Sequence, residues 1–137
     1  MRKVFLDSNL IVYANDDRDP AKQTIAIDRI AQAIRTSSGV ISTQVLAEYA
    51  AVALDKLHQP AEIILRQLLL LESLEVVQIT PPLIRRSVEL HSLYQVHFWD
   101  AGILAAAELA NCSVLLSEDF GAGRSYGTVR VENPFVP

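Results

Sequence analysis

The fold is decided by the stretch VFLDSNLIVY, which occupies residues 4–13. Its first three residues, Val4–Leu6, are apolar and typical of a buried β-strand. The next three, Asp7–Asn9, are residue types that favour the N-cap position of a helix, and the apolar run Leu10–Tyr13 continues as that helix. The stretch therefore predicts a strand, a tight turn and a helix, with an acidic side chain at the carboxyl end of the strand.

The rest of the chain alternates between helical and strand-like segments. We expect helices over Ala21–Ile34, Thr43–Leu57, Pro60–Glu72, Leu83–Tyr94 and Phe98–Ala110, strands over Val40–Ser42, Val76–Ile79, Ser113–Leu116 and Thr128–Val131, and a glycine-rich loop over Gly121–Gly127. Short strands separated by helices, with no hairpin dipeptide between them, indicate a parallel sheet that is covered on both faces. We therefore predict an α/β three-layer sandwich that forms a single domain over residues 1–137.

The composition is that of a soluble and slightly acidic domain. Half of the 137 residues are hydrophobic, 20% are charged, and the formal net charge at pH 7 is −4. No segment is apolar for long enough to span a bilayer, and Asp7 interrupts the first apolar run too early for a signal peptide. The single cysteine, Cys112, excludes a disulfide within the chain, so we expect a cytoplasmic protein with no membrane partner. The acidic balance by itself argues mildly against a nucleic-acid partner.

Four acidic residues stand where they need a chemical explanation. Asp7 and Asp119 each follow a predicted strand, and the ligand site of a parallel α/β sheet lies beyond the carboxyl ends of its strands. An N-cap or turn role would explain either residue alone. Glu48 and Asp100 lie on apolar helical faces, where an unpaired carboxylate is costly to bury. Each of these two residues needs a distant salt bridge, a raised pKa or a bound cation.

A hydrated divalent cation would account for all four acids with one cause. Carboxylates gathered at one pole of a sheet raise one another's pKa unless a cation is present, and Mg²⁺ or Mn²⁺ prefers such oxygen ligands. Zinc is disfavoured because His58, His91 and His97 lack the spacing of a zinc site. Apart from these four residues the chain has twelve acids and twelve bases, so the net charge resides in the predicted site.

The segments around these acids resemble those of the PIN-domain nucleases, and most closely the single-domain VapC-type toxins of prokaryotic toxin–antitoxin pairs. The resemblance rests on residues 4–13, followed in order by ISTQVLAE (41–48), FWDAGILAAA (98–107) and LLSEDF (115–120). It implies a parallel five-stranded sheet of order 3-2-1-4-5, with Asp7, Glu48, Asp100 and Asp119 as the metal-binding catalytic residues and Ser8 and Ser117 as supporting hydroxyls. Glu118 stands beside Asp119, and the Ser-x-Asp match favours Asp119 as the fourth acid.

The same resemblance implies a function. Members of the family use Mg²⁺ or Mn²⁺ to hydrolyse phosphodiester bonds of RNA, commonly in tRNA, rRNA or mRNA, and VapC-type members form homodimers that a cognate antitoxin silences. The expected protein is thus a metal-dependent endoribonuclease. Two alternatives stay open: a catalytically silent PIN-like scaffold that binds nucleic acid or protein, and a receiver-type signalling module. A receiver would need an acid after its middle strand and a late lysine, and no lysine follows Lys56.

RNA binding requires contacts beyond the acids. We predict phosphate contacts by Arg85, Arg86, Arg124 and Arg130. Aromatic side chains that could stack on bases are Tyr13, Trp99, Phe120 and Tyr126. For Trp99 and Tyr49 the apolar surroundings in the sequence favour packing in the core.

Overall fold

The computed structural model describes residues 2–137, which alternate between strands and helices as the sequence predicts. The strands are β1 (Val4–Leu6), β2 (Gly39–Ser42), β3 (Glu75–Val77), β4 (Val114–Leu116), β5 (Ser125–Tyr126) and β6 (Val129–Glu132). The helices are α1 (Ser8–Ala14), α2 (Pro20–Arg35), α3 (Thr43–Asp55), α4 (Ala61–Leu71), α5 (Pro81–Tyr94) and α6 (Phe98–Leu109).

The strands form one mixed sheet in the order β3-β2-β1-β4-β6-β5. Five of them run parallel, and their order is the one that the family resemblance implied. The sixth, β5, pairs antiparallel with β6 and lies within the segment 121–127, for which the sequence predicted only a loop. Gly127 at φ +63° permits the tight turn between the two strands, and Tyr126 is buried there, so the loop closes on itself as a short hairpin.

Strand β3 ends two residues earlier than its β-branched sequence predicts. Instead of continuing the ladder, the N–H of Ile79 donates to Oγ1 of Thr43 at 3.1 Å. Thr80 then caps α5, because its hydroxyl accepts from the N–H of Leu83 at 3.4 Å. The capping of the next helix therefore ends the strand.

Helix α6 lies in the middle of the core and is buried from Ala101 to Ala107. Tyr49 on α3 is fully buried, as expected. Trp99 is different, because its side chain is 64% exposed, and the expectation that it packs in the core was wrong. It stands in the first turn of α6, where the helix emerges from the core, and contacts Phe98 edge to face at 5.2 Å between ring centroids.

The strand order also distinguishes the expected PIN-like fold from that of a receiver-type module. Receiver-type modules have the strand order 2-1-3-4-5, with the third strand in the centre of the sheet. In this protein β3 lies at the edge and β1 occupies the centre. The receiver alternative is therefore excluded by topology. Within residues 2–137, no helix is both long and apolar enough to cross a membrane.

Candidate active site

The four predicted acids meet at the carboxyl end of the parallel sheet. Asp7 directly follows β1, Glu48 lies on the helix that follows β2, Asp100 lies in the first turn of α6, and Asp119 follows β4. The charges of Glu48 and Asp119 raise the pKa of Asp7, and the charge of Asp119 raises the pKa values of both Glu48 and Asp100. The sheet topology thus places four carboxylates close enough to repel one another.

Asp7 is the most buried of the four, with 4% of its surface exposed. Its backbone N–H donates to the carbonyl oxygen of Leu116 at 3.0 Å, which continues the ladder between β1 and β4. Its Oδ1 accepts from the N–H of Ser8 and its Oδ2 from the hydroxyl of Ser117, both at 2.7 Å. Burial raises the pKa of Asp7 to about 6, although these two hydrogen bonds act in the opposite direction.

Glu48 carries an unsatisfied buried acceptor in the site. Its Oε1 atom is buried and accepts no hydrogen bond. Burial raises the pKa of this carboxyl, and the nearby polar groups of Ser8 and Gln44 offset only part of the rise. A buried carboxylate oxygen without a donor is costly, so this atom is suited to a cation or to a water bound to one.

Asp100 is half-buried and forms no salt bridge with a basic side chain among residues 2–137. Burial is the largest effect on the pKa of Asp100 and raises it. The charge of Asp119 raises this pKa further, and the charge of His97, three residues earlier, lowers it. Within the described part of the chain, the long-range salt bridge that the sequence left open for Asp100 is therefore not formed.

The structure separates the neighbours Glu118 and Asp119. Glu118 accepts from the hydroxyl of Tyr13 at 2.6 Å and pairs with Nζ of Lys22 at 3.0 Å. Asp119 is exposed and accepts from Nδ2 of Asn9 at 3.1 Å. Of the two acids, Asp119 is the one that stands with Asp7, Glu48 and Asp100.

Two polar residues of the site were missed by the sequence reasoning. Asn9 donates from Nδ2 to both Ser117 and Asp119, and its Oδ1 is buried without a partner. Gln44 lies one helical turn before Glu48 and donates to the carbonyl oxygen of Trp99 at 2.8 Å. Both signals were in the sequence, since Asn9 follows Asp7 by two residues and Gln44 precedes Glu48 by four, but each was interpreted only as part of a helix.

The oxygen ligands that the site offers fit a hard divalent cation. The residues that would hold it are Asp7, Glu48, Asp100 and Asp119, and two buried oxygens, Oε1 of Glu48 and Oδ1 of Asn9, lack hydrogen-bond donors. In the part of the chain that the structure describes, no three His, Cys, Asp or Glu side chains converge tightly enough to enclose an ion by themselves. Such an open arrangement suits Mg²⁺, which keeps several waters and takes few protein ligands.

The predicted arginines differ in their surroundings. Arg86 is engaged by Glu108, with Nε and Nη2 each 2.8 Å from a carboxylate oxygen. Arg85 is exposed, and Arg124 is exposed with its guanidinium 4.9 Å from the ring centre of Tyr126. Arg86 is therefore already paired, whereas the RNA contacts of Arg85 and Arg124 stay predictions.

The comparison with family models agrees with this geometry. The PIN-domain model matches residues 4–124, which contain all four acids. The chain belongs to the PIN-domain family. A search of curated proteins found no match.

Several solved structures share the fold. A toxin–antitoxin complex from Klebsiella pneumoniae matches with TM-score 0.68 and 22% identity, covering 96% of this chain and 98% of that one. VapBC2 from Rickettsia felis, bound to a DNA fragment from its promoter, matches with TM-score 0.67 and 20% identity over 95% and 97% of the two chains. VapC20 from Mycobacterium tuberculosis, a toxin that cleaves the sarcin–ricin loop, matches with TM-score 0.61 and 16% identity over 86% and 92%.

Proposed function

We propose that this protein is a metal-dependent endoribonuclease of the VapC type, the toxin of a cytoplasmic toxin–antitoxin pair. The observation that carries the proposal is the buried Oε1 of Glu48, which accepts no hydrogen bond and belongs to a carboxyl that interacts electrostatically with those of Asp7, Asp100 and Asp119. A fold-supporting acid would be paired, whereas the charges of neighbouring acids help to raise the pKa values of Asp7, Glu48 and Asp100. Membership of the PIN-domain family, whose nucleases generally use divalent metal, supports the same chemistry.

The chain's own residues would prepare the site in a definite way. Ser117 and Ser8 hold both oxygens of Asp7 in place, and Asn9 holds Asp119. Asp7, Glu48, Asp100 and Asp119 would bind Mg²⁺ or Mn²⁺. When bound, the cation lowers the pKa of a coordinated water and offsets charge on the scissile phosphate. Without the cation, the four carboxylates repel an RNA backbone, so we expect RNA binding to depend on metal.

Protein partners form the second part of the proposal. Three of the structures that share the fold are VapBC complexes and one is described as a toxin–antitoxin complex, which supports a cognate antitoxin for this chain. We also propose a homodimer. The chain exposes large apolar side chains on two separate helices, Leu65 and Leu69 on α4 and Ile84 and Val88 on α5, as two protein interfaces would require.

The test of the enzymatic proposal is cleavage of RNA by the purified protein. We expect it to cut tRNA, rRNA or mRNA at defined positions with Mg²⁺ or Mn²⁺, to stop in EDTA, and to lose activity in Asp7→Asn and Asp100→Asn. Asp55→Asn, an exposed acid at the end of α3, is the matched control and should cleave normally. Cleavage that persists at the same positions in the purified Asp7 and Asp100 variants would contradict the assignment of the site. Binding of RNA without any cleavage would favour the silent scaffold.

A further inference from the structure

Side chains on one face of α1 donate hydrogen bonds to Glu118 and Asp119, the two acids of the turn that follows β4. Asn9 and Tyr13 are four residues apart on α1 and therefore lie on the same side of the helix. Asn9 donates to Oδ2 of Asp119 at 3.1 Å, and the hydroxyl of Tyr13 donates to Oε1 of Glu118 at 2.6 Å. Two adjacent acids are thus held in two different places by one helix.

Lys22 on α2 forms an ion pair with Glu118, the acid that lies outside the acidic site. Its Nζ lies 3.0 Å from Oε2 of Glu118 and donates to the hydroxyl oxygen of Tyr13 at 3.2 Å. The same ammonium lies 4.6 Å from the centre of the Tyr13 ring, where a cation is attracted to the π-face. The side chains of Lys22 and Glu118 are 33% and 23% exposed, so the pair is partly shielded from solvent.

The carboxyl-terminal segment covers this pair. Phe135 packs edge to face on Tyr13, with ring centroids 5.0 Å apart, and its ring centre lies 5.6 Å from Nζ of Lys22. Partial exclusion of water strengthens the attraction between Lys22 and Glu118. The contacts therefore join α1, α2, the turn after β4 and the chain's last residues around one charge pair.

We propose that Lys22 and Tyr13 are positioning residues for the acidic site: they hold Glu118 away from it and thereby fix the turn Ser117–Asp119 so that Asp119 faces Asn9. The proposal rests on the proposed function for its catalytic consequence. Without Lys22, Glu118 keeps an uncompensated, partly buried charge. That charge is relieved when Glu118 leaves Tyr13 and moves to solvent or to the cation at the site, which displaces Asp119 because the two residues are adjacent.

The test compares two lysines that each form one close ion pair. Lys22→Met removes the charge but keeps the chain length. Lys3→Met is the matched control, because Lys3 pairs with Glu75 at 2.8 Å, at a place outside the acidic site. The measurements are kcat and KM for RNA, Mn²⁺ affinity without RNA by electron paramagnetic resonance, and hydrogen exchange of the amides of residues 117–120.

We expect Lys22→Met to weaken Mn²⁺ binding about 10-fold or more and to lower kcat with little change in KM, as loss of supporting contacts does at metal sites. Hydrogen exchange at residues 117–120 should accelerate in Lys22→Met and stay unchanged in Lys3→Met. Lys22→Arg should restore the wild-type values. Adding Glu118→Gln to Lys22→Met should restore most of the Mn²⁺ affinity, because it removes the uncompensated charge.

The outcomes separate this inference from the proposed function. If wild-type protein cleaves RNA and Lys22→Met matches it in Mn²⁺ affinity and kcat, the inference is wrong and the function stands. If the wild type neither cleaves RNA nor binds Mn²⁺, the proposed function fails, and hydrogen exchange at residues 117–120 still decides the inference about the turn. Equal acceleration of that exchange in Lys3→Met would mean a general loss of stability and would overturn it.

Discussion

The hydroxyl of Ser117 donates to Oδ2 of Asp7 at 2.7 Å and joins the turn after β4 to the end of β1. Its oxygen also accepts from Nδ2 of Asn9 at 3.2 Å and from the N–H of Asp119 at 3.1 Å. Both lone pairs of the hydroxyl are therefore used, and its proton has a single direction. This hydroxyl fixes Asp7 and the turn that carries Asp119 relative to each other.

Ser117→Ala should disable the site without unfolding the protein. The substitution removes one of the two donors that lower the pKa of Asp7 and one of the two hydrogen bonds that hold Asp119. We expect a loss of about 10- to 100-fold in Mn²⁺ affinity or in kcat, the range found for residues that support metal ligands. Ser117→Thr keeps the hydroxyl and should stay near wild type. Equal losses in both variants would contradict the hydrogen-bond role and point to packing.

The metal-free protein should lose stability as the pH rises from about 4 to 6. The pKa of Asp7 is raised from 3.8 to about 6 by folding, so the native state binds more protons than the unfolded state within this range. The raised pKa values of Glu48 and Asp100 act in the same direction. For Asp7 the loss is at most about 3 kcal/mol. Urea unfolding in EDTA at pH 4.5 and pH 7 measures it.

Asp7→Asn is the control for this pH dependence, because it removes the titrating group. Its free energy of unfolding should change less between the two pH values than that of wild type. Mn²⁺ added at pH 7 should restore stability to wild type by binding the ionised carboxylates. A stability that rises steadily from pH 4.5 to pH 7 in EDTA would mean that these acids are stabilised by partners.

Gly102→Ala should damage the site by moving Gln44. A Cβ atom at Gly102 would lie 2.6 Å from Oε1 of Gln44, and Gln44 is buried with its amide bonded to the carbonyl oxygen of Trp99. The displaced side chain loses its place beside Glu48. We expect a net loss of at most about 2 kcal/mol in stability, because the lost hydrogen bond of Gln44 costs about 1–3 kcal/mol and the higher helix propensity of alanine returns about 1 kcal/mol, together with a lower kcat for the molecules that remain folded.

Gly39→Ala is the matched comparison for that variant. Its Cβ would lie 2.5 Å from Cδ2 of Leu74 and 2.8 Å from Cβ of Ala33, in the core and without a polar neighbour among these contacts. We expect a similar or larger loss of stability with an unchanged kcat per folded molecule. A parallel fall in kcat for both glycine variants would show that packing alone controls the site.

Adjacent arginines on α5 should differ in their effect on RNA binding. Arg85 is exposed, whereas Arg86 is engaged by Glu108. If Arg85 contacts a phosphate, Arg85→Gln should weaken RNA binding and reduce its salt dependence by about one counterion. Arg86→Gln should leave that slope unchanged and cost about 0.2–1 kcal/mol of stability, as exposed ion pairs do. RNA titrations at several salt concentrations, in protein that also carries Asp100→Asn, measure the slope for both arginine variants.

The sequence predicts the parallel sheet because its strands are short, apolar and separated by helices. Glu48 and Asp100 were found because a carboxylate on an apolar helical face conflicts with burial. The hairpin of β5 with β6 was missed, because two residues between glycines carry too little periodicity to indicate a strand.

Side-chain partners across the sheet were beyond the reach of sequence spacing. The interactions of Asn9 with Ser117 and of Lys22 with Glu118 join residues about a hundred positions apart, so the register of β1 beside β4 and the packing of α1 against α2 bring them together. Exposure at a helix end is set by neighbouring elements, and for this reason Trp99 was wrongly placed in the core. The different partners of Glu118 and Asp119 likewise come from α1 and α2, which the local sequence of the turn does not reveal.

Both edges of the sheet are short, which limits how another chain can bind. At one edge β5 has two residues, and at the other β3 has three, followed closely by Pro81 and Pro82 at the start of α5. An added strand would find few free N–H and C=O groups at either edge. Recognition by β-augmentation is therefore unfavourable, and we expect a protein partner to bind through side chains, such as the exposed apolar ones on α4 and α5.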